Sequence, residues 1–201
     1  MVSRKVLTLC LGVSLLTLTG CDSAKDREEK YFNKAQAYFD DGNYEKMRVE
    51  LKNVLQINPK NTDARYLSAL VAENEQDWRK MFGTLLAVVE AKPDHYEAQL
   101  KLAKLFLFSK DTEKASEKIE MVLTAEAENP DALALKATIK MMNKDVEGAT
   151  ALLNKALATK PGHYDSSLLL ISILLKNQLP FAHIADLQNL PTQYYMFLAD
   201  L

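Results

Sequence analysis

Residues 28–61 read EEKYFNKAQAYFDDGNYEKMRVELKNVLQINPKN, and this stretch decides the fold. Leu51, Val54 and Leu55 recur at i, i+3 and i+4, which sets them on one face of a helix. Ahead of them Asp41-Gly42-Asn43 punctuates the stretch, and Asn58-Pro59-Lys60-Asn61 closes it. A residue before proline is pushed out of helical geometry, so Pro59 sets a boundary. The stretch predicts two amphipathic helices joined by a short turn.

The design returns at a fixed step. Windows of that same length start at Glu28, Thr62, Tyr96 and Pro130 and tile without a gap; a fifth, decayed window starts at Tyr164. Their eighth positions hold Ala35, Ala69, Ala103, Ala137 and Ile171, and their twentieth Met47, Met81, Ala115, Ala149 and His183. Position 24 holds Leu51, Leu85, Ile119, Leu153 and Leu187, and position 27 holds Val54, Val88, Val122, Ala156 and Leu190. Small and apolar residues at fixed positions of a fixed period mark a solenoid of one repeated unit. An alanine at position 8 lets a neighbouring backbone approach closely, and a bulky side chain there would overpack the contact.

This pattern resembles the tetratricopeptide repeat (TPR). That family also favours an aromatic residue near position 17, where Tyr44, Trp78, Thr112, Val146 and Pro180 stand, and proline at position 32, where Pro59, Pro93, Ala127 and Pro161 stand. The third window lacks its proline, and Pro130 is expected to end that helix instead. The resemblance spans roughly residues 28–190. It implies an all-α, right-handed α-solenoid of about five helix-turn-helix repeats, over residues 28–191, followed by an apolar helical segment at 192–201. Stacked repeats of this kind form extended surfaces that bind other proteins.

Residues 1–20 read differently. Arg4 and Lys5 form a charged start, and Val6–Leu18 is an unbroken, mostly apolar run. A membrane-spanning helix needs about 20 apolar residues, more than this run supplies, so it fits the middle of a secretory signal instead. Leu18-Thr19-Gly20-Cys21 resembles a bacterial lipobox. The resemblance implies that Cys21 carries covalent lipid and begins the mature chain. It also implies that Asp22 retains the protein in the inner membrane, facing the periplasm, with the outer membrane as the alternative. One acyl chain holds a protein only marginally, and the two or three of a lipobox cysteine suffice. Residues 21–27 are then the lipidated cysteine and a polar tether, Asp22–Arg27, reaching roughly 20 Å at about 3.5 Å per residue.

Composition narrows the function. Cys10 leaves with the signal and Cys21 is blocked by lipid, so no disulfide is expected. The whole chain carries a net charge of −2, and loss of Arg4 and Lys5 tips it further toward acid. That balance argues against general nucleic-acid binding. No phosphate loop, Cys-x-x-Cys pair or nucleophile elbow is present in the sequence. His95 and His163 share position 34, in turns two repeats apart, which reads as structural rather than as a metal site. Neither an enzyme nor a cofactor is expected.

In the resembling family the first helix of each repeat lines the inner groove, at about positions 2, 5, 9 and 12. Those positions include Phe32, Gln36, Tyr66, Leu70, Leu100, Lys104, Ala134 and Met141, and position 13 adds Asn74, Phe108 and Met142. The partner-binding candidates are Gln36, Tyr66, Asn74, Lys104, Phe108, Met141 and Met142. Exposed aromatic and methionine side chains suit such a surface.

The function expected from all this is a membrane-anchored periplasmic scaffold, binding protein partners in envelope assembly or in export of a polysaccharide or protein. Its lipobox, Asp22 and Leu51–Leu55 stretch resemble lipoproteins of exopolysaccharide systems linked to protein-sorting (PEP-CTERM) signals. The alternatives are an outer-membrane assembly or secretin-pilot lipoprotein and a regulatory accessory subunit of a polysaccharide synthase. The apolar Tyr194–Leu198 lacks the polar cap that a solenoid end needs, which points to self-association, docking or a longer chain.

Overall fold

Each helix described here begins on a side chain that accepts a hydrogen bond, and the turns between helices repeat almost unchanged. The computed structural model describes residues 23–177, and every regular element in them is an α-helix. The chain forms two compact units, one ending at Ala64 and one starting at Arg65.

In the first unit, Ser23 starts α1 (Ala24–Asp40). Its hydroxyl accepts the Asp26 N–H at 3.1 Å, and the Asp26 carboxylate accepts the Ser23 N–H at 2.9 Å. This reciprocal box satisfies two amides that a helix start leaves open. Residues 24–27 are therefore helical, and the tether expected from the sequence is shorter by that turn. Gly42 follows α1 at φ +67°, the left-handed conformation that glycine adopts without steric cost. Its N–H bonds Phe39 O, and the Asn43 N–H bonds Tyr38 O. Asn43 then caps α2 (Tyr44–Ile57) by accepting the Lys46 N–H. Ala35, Met47, Leu51 and Val54 are buried. At the far end the Glu28 carboxylate accepts the amides of Asn58 and Asn61, each at 2.8 Å. The Asn61 side-chain oxygen in turn accepts the Ala64 N–H and starts α3 (Thr62–Asn74).

The second unit continues with α4 (Trp78–Ala91), α5 (Tyr96–Phe108), α6 (Thr112–Ala125), α7 (Pro130–Met142), α8 (Val146–Thr159) and α9 (Tyr164–Asn177). The turn after Gly42 recurs at Gln76, Lys110 and Lys144, all left-handed although none is glycine. Two bonds hold each, as when Lys110 N–H meets Leu107 O and Asp111 N–H meets Phe106 O. This is the Schellman ending of a helix. The next residue, Asp77, Asp111 or Asp145, then caps the following helix.

Between repeats the turn is also constant. α6 ends at Ala125, with Glu126 N–H bonded to Val122 O at 2.8 Å, as Asn58 is to Val54 and Lys92 to Val88. Ala127 thus replaces proline with no change in the ending. Pro130, expected to stop that helix, instead begins α7 behind its cap Asn129, where its missing N–H costs nothing.

Among the described residues, three apolar clusters pack in the second unit. Ala69, Met81, Leu85, Val88 and Leu102 form one; Ala103, Ile119, Val122 and Leu135 form the next; Ala137, Leu153, Leu157, Leu170 and Ile173 form the third. Burying a leucine fully contributes about 1.5–3 kcal/mol. Ala69, Ala103 and Ala137, at position 8, are wholly buried, while Ile171 stands half-exposed at that position on α9.

Candidate functional site

The first helices of the second unit are tied across one face by ion pairs. Lys101 of α5 pairs with Glu73 of α3, and Lys104 of α5 reaches Asp165 of α9 at 3.0 Å. Half-exposed pairs contribute about 0–1 kcal/mol, so they position side chains more than they stabilise the fold.

Beside these pairs lies a cavity of about 270 Å³ lined by Glu73, Trp78, Met81, Lys101, Lys104, Leu105 and Phe108. Two walls are aromatic and unusually open. Trp78 follows the cap Asp77 as the first residue of α4 and is 52% exposed. Phe108 is the last residue of α5 and is 91% exposed. The cavity is slightly smaller than the roughly 300–1,000 Å³ of drug-sized ligand sites, which suits one large apolar side chain of a longer partner.

The sequence candidates divide. Lys104 and Phe108 line the cavity. Tyr66 is half-buried, with its ring 4.5 Å from that of His95. Burial, with the Glu97, Glu73 and Asp131 carboxylates around it, pushes the Tyr66 phenol up to about 12. Asn74 is exposed at the end of α3, and Met142 is exposed at the end of α7. Met141 is half-buried and packs against the Ala137–Leu153–Leu170 cluster. Gln36 is exposed on α1, in the first unit. Leu70, Leu100 and Ala134, groove positions by resemblance, are buried instead, because the adjacent helices close over them. Cys21, Asp22, His183 and Tyr194–Leu198 lie outside the described residues.

Sequence reasoning missed Trp78, Lys101 and Leu105 as site residues. Trp78 belongs to a second helix, outside the first-helix positions to which the resemblance points. The signal available was that it is the single tryptophan of the chain.

The two histidines of the described residues are helix caps, and both are buried. His163 Nδ1 accepts the Ser166 N–H at 3.3 Å and faces Ser166 Oγ at 2.7 Å, while Nε2 lies 3.3 Å from Asp131 Oδ1. His95 Nδ1 lies 3.4 Å from the Ala98 N and 3.2 Å from a Glu97 carboxylate oxygen. As a cap, Nδ1 accepts the Ala98 N–H through its single in-plane lone pair. Asn61 and Asn129 do the same capping at the alternate junctions. Among the described residues no group of three or more His, Cys, Asp or Glu could hold a metal ion, and no helix is long and apolar enough to cross a membrane.

Residues 30–61 match the tetratricopeptide repeat family. A search of curated proteins gave no match. Among solved structures, MamA from Desulfovibrio magneticus RS-1, from its residue 41 onward, is similar with a TM-score of 0.63 and 18% identity, over 77% of this chain and 87% of that one. PilW, a widely conserved type IV pilus biogenesis factor, is similar with a TM-score of 0.66 and 15% identity, over 76% and 70%. YrrB, a TPR protein with an unusual peptide-binding site, gives 0.58 and 11%, over 85% and 91%. At these identities the likeness shows the fold, an all-α solenoid of TPR type.

Proposed function

We propose, for a chain with one matched tetratricopeptide repeat and the fold of TPR proteins, that it is a scaffold holding a partner protein at the cell envelope. One observation carries this reading: Trp78 and Phe108 stand open at the lining of a largely apolar cavity built from α3, α4 and α5. Large aromatic residues around a pocket are where binding energy concentrates in interfaces. The peptide-binding site of YrrB, on a similar fold, supports a peptide-like occupant.

In this reading lipid on Cys21 holds the scaffold at a membrane, and Asp22 keeps it in the inner one, facing the periplasm. The scaffold works by recognition and placement, without chemistry of its own. Polysaccharide export, protein export and envelope assembly are the processes it would serve. The likeness to PilW favours one second reading, an assembly lipoprotein of the pilus or secretin-pilot kind at the outer membrane.

Trp78→Ala with Phe108→Ala tests the groove. Both side chains are exposed, so the helices remain folded. Capture of the partner from envelope extracts falls by about thirtyfold if two such anchors together contribute roughly 2 kcal/mol. Undiminished capture by a folded variant removes the cavity as the site. Cys21→Ser tests the anchor separately, by loss of labelled palmitate. Fractionation with Asp22→Ser then separates the two membranes.

A further inference from the structure

We propose that the cavity beside Trp78 and Phe108 is occupied by the chain's own segment Tyr194-Tyr195-Met196-Phe197-Leu198, so that an outside partner must displace it. This rests on reading the cavity as a seat for a large apolar side chain.

The chemistry of the two parts matches. The walls are Trp78, Met81, Leu105 and Phe108, and the rim carries Glu73, Lys101 and Lys104. The segment offers two tyrosines, a methionine, a phenylalanine and a leucine in succession. An aromatic ring entering the cavity covers the exposed faces of Trp78 and Phe108, in the edge or offset arrangements that rings prefer. A tyrosine hydroxyl at the rim can donate to the Glu73 carboxylate.

The reach also matches. Lys104, on the rim, bonds Asp165 in the first turn of α9 at 3.0 Å. The helix rises about 18 Å from Asp165 to Asn177, so Asn177 lies within roughly 30 Å of that rim. Residues 178–193 can span at most about 53 Å, nearly twice what is needed.

Tethering then makes a weak contact dominant. A short linker sets an effective concentration on the order of 1 mM. A site of about 0.1 mM affinity is then roughly nine-tenths filled from within, and an outside ligand binds about tenfold more weakly than to an empty cavity.

Trp78, as the single tryptophan, reports the cavity by its fluorescence. A synthetic peptide of residues 192–201 is titrated into the full chain and into the full chain carrying Tyr195→Ser and Phe197→Ser. The expected result is a Trp78 in the variant that emits further to the red, is quenched more readily by acrylamide, and binds the peptide about tenfold more tightly than in the unchanged chain. Equal emission and equal affinity in the two proteins overturn the proposal. So does a peptide response that survives Phe108→Ala. An aromatic photocrosslinker at position 197 gives a second reading that keeps a ring in place of Phe197. Links within one chain to residues 73–81 or 101–108 support self-occupancy, and links only between two chains overturn it. If the peptide fails to bind while Trp78→Ala still weakens capture of the envelope partner, self-occupancy falls and the docking reading stands. If neither responds, both fall.

Discussion

Two successive junctions of the second unit share a backbone and differ in what fills them. Where α3 and α5 meet, Glu73 and Lys101 stand at positions 12 and 6 of their repeats and pair with each other. A cavity remains beside them under Trp78 and Phe108. One repeat on, where α5 and α7 meet, Leu107 and Leu135 hold those positions and join the Ala103–Ile119–Val122 cluster. Thr112 and Ala115 stand where Trp78 and Met81 stood. The turns are the same, with Gln76 and Lys110 both left-handed and Asp77 and Asp111 both capping. The repeat therefore fixes where helices go. A few side chains then decide whether a junction is sealed or left as a seat for something else.

The largest expected effect tests whether the open junction is merely loose. Leu102 lies wholly buried beneath it, in the Ala69–Met81–Leu85 cluster. Leu102→Ala should cost about 2–5 kcal/mol in chemical denaturation, as in any tight core. A loss well under about 1 kcal/mol would mean that the cavity is a packing fault and the comparison is empty.

Next comes the sealed junction. Ala103→Phe should overpack it by about 1–3 kcal/mol. Lys110→Phe, in the exposed turn close by, puts another non-glycine side chain at the same left-handed position and should cost less than Ala103→Phe. Equal melting temperatures for the two variants would show that position 8 is not the tight contact.

The comparison can be sharpened by converting one junction into the other. Glu73→Leu with Lys101→Leu copies the sealed design into the open one. Because the pair is partly exposed, stability should change by less than about 1 kcal/mol. Ligand response at Trp78 should disappear. A response that persists in a folded protein would show that these two positions do not set the cavity.

The smallest effect concerns Tyr66, which sits against His95. Its phenol is raised from 10.0 to about 12, so folding favours the neutral form. Stability from this group is complete below pH 10 and is lost as pH rises toward about 12. Phenolate absorbance should show one tyrosine ionising late, and Tyr66→Phe should remove that step. A titration identical in both proteins would place Tyr66 in water.

What could be read from the chain was whatever depends on near neighbours in sequence. The helix pairs follow from apolar spacing, and Asp111 declares itself a cap by standing before Thr112-Glu113-Lys114. The left-handed turns at Gln76, Lys110 and Lys144 were hidden because glycine marks only the first, at Gly42. There the paired backbone bonds of the helix ending overcome a conformational cost of roughly 1–2 kcal/mol. The histidine caps were hidden for a similar reason, since asparagine does the same work at the alternate junctions. First-helix positions alone gave Lys104 and Phe108 but not the cavity as a whole, because its walls come from three helices.

The sequence by itself determined the period, the all-helical class and the small residue at the tight contact, because each is set by side chains a few residues apart or at one repeated position. Only the tertiary structure decided which apolar side chains are core and which are open. Leu100 and Phe108 lie on the same helix, yet the first is buried and the second is 91% exposed. Helical period places a side chain on a face, but burial depends on how closely the next helix approaches that point. That approach is set by side chains such as Glu73, Trp78 and Lys101, brought together only when the repeats stack.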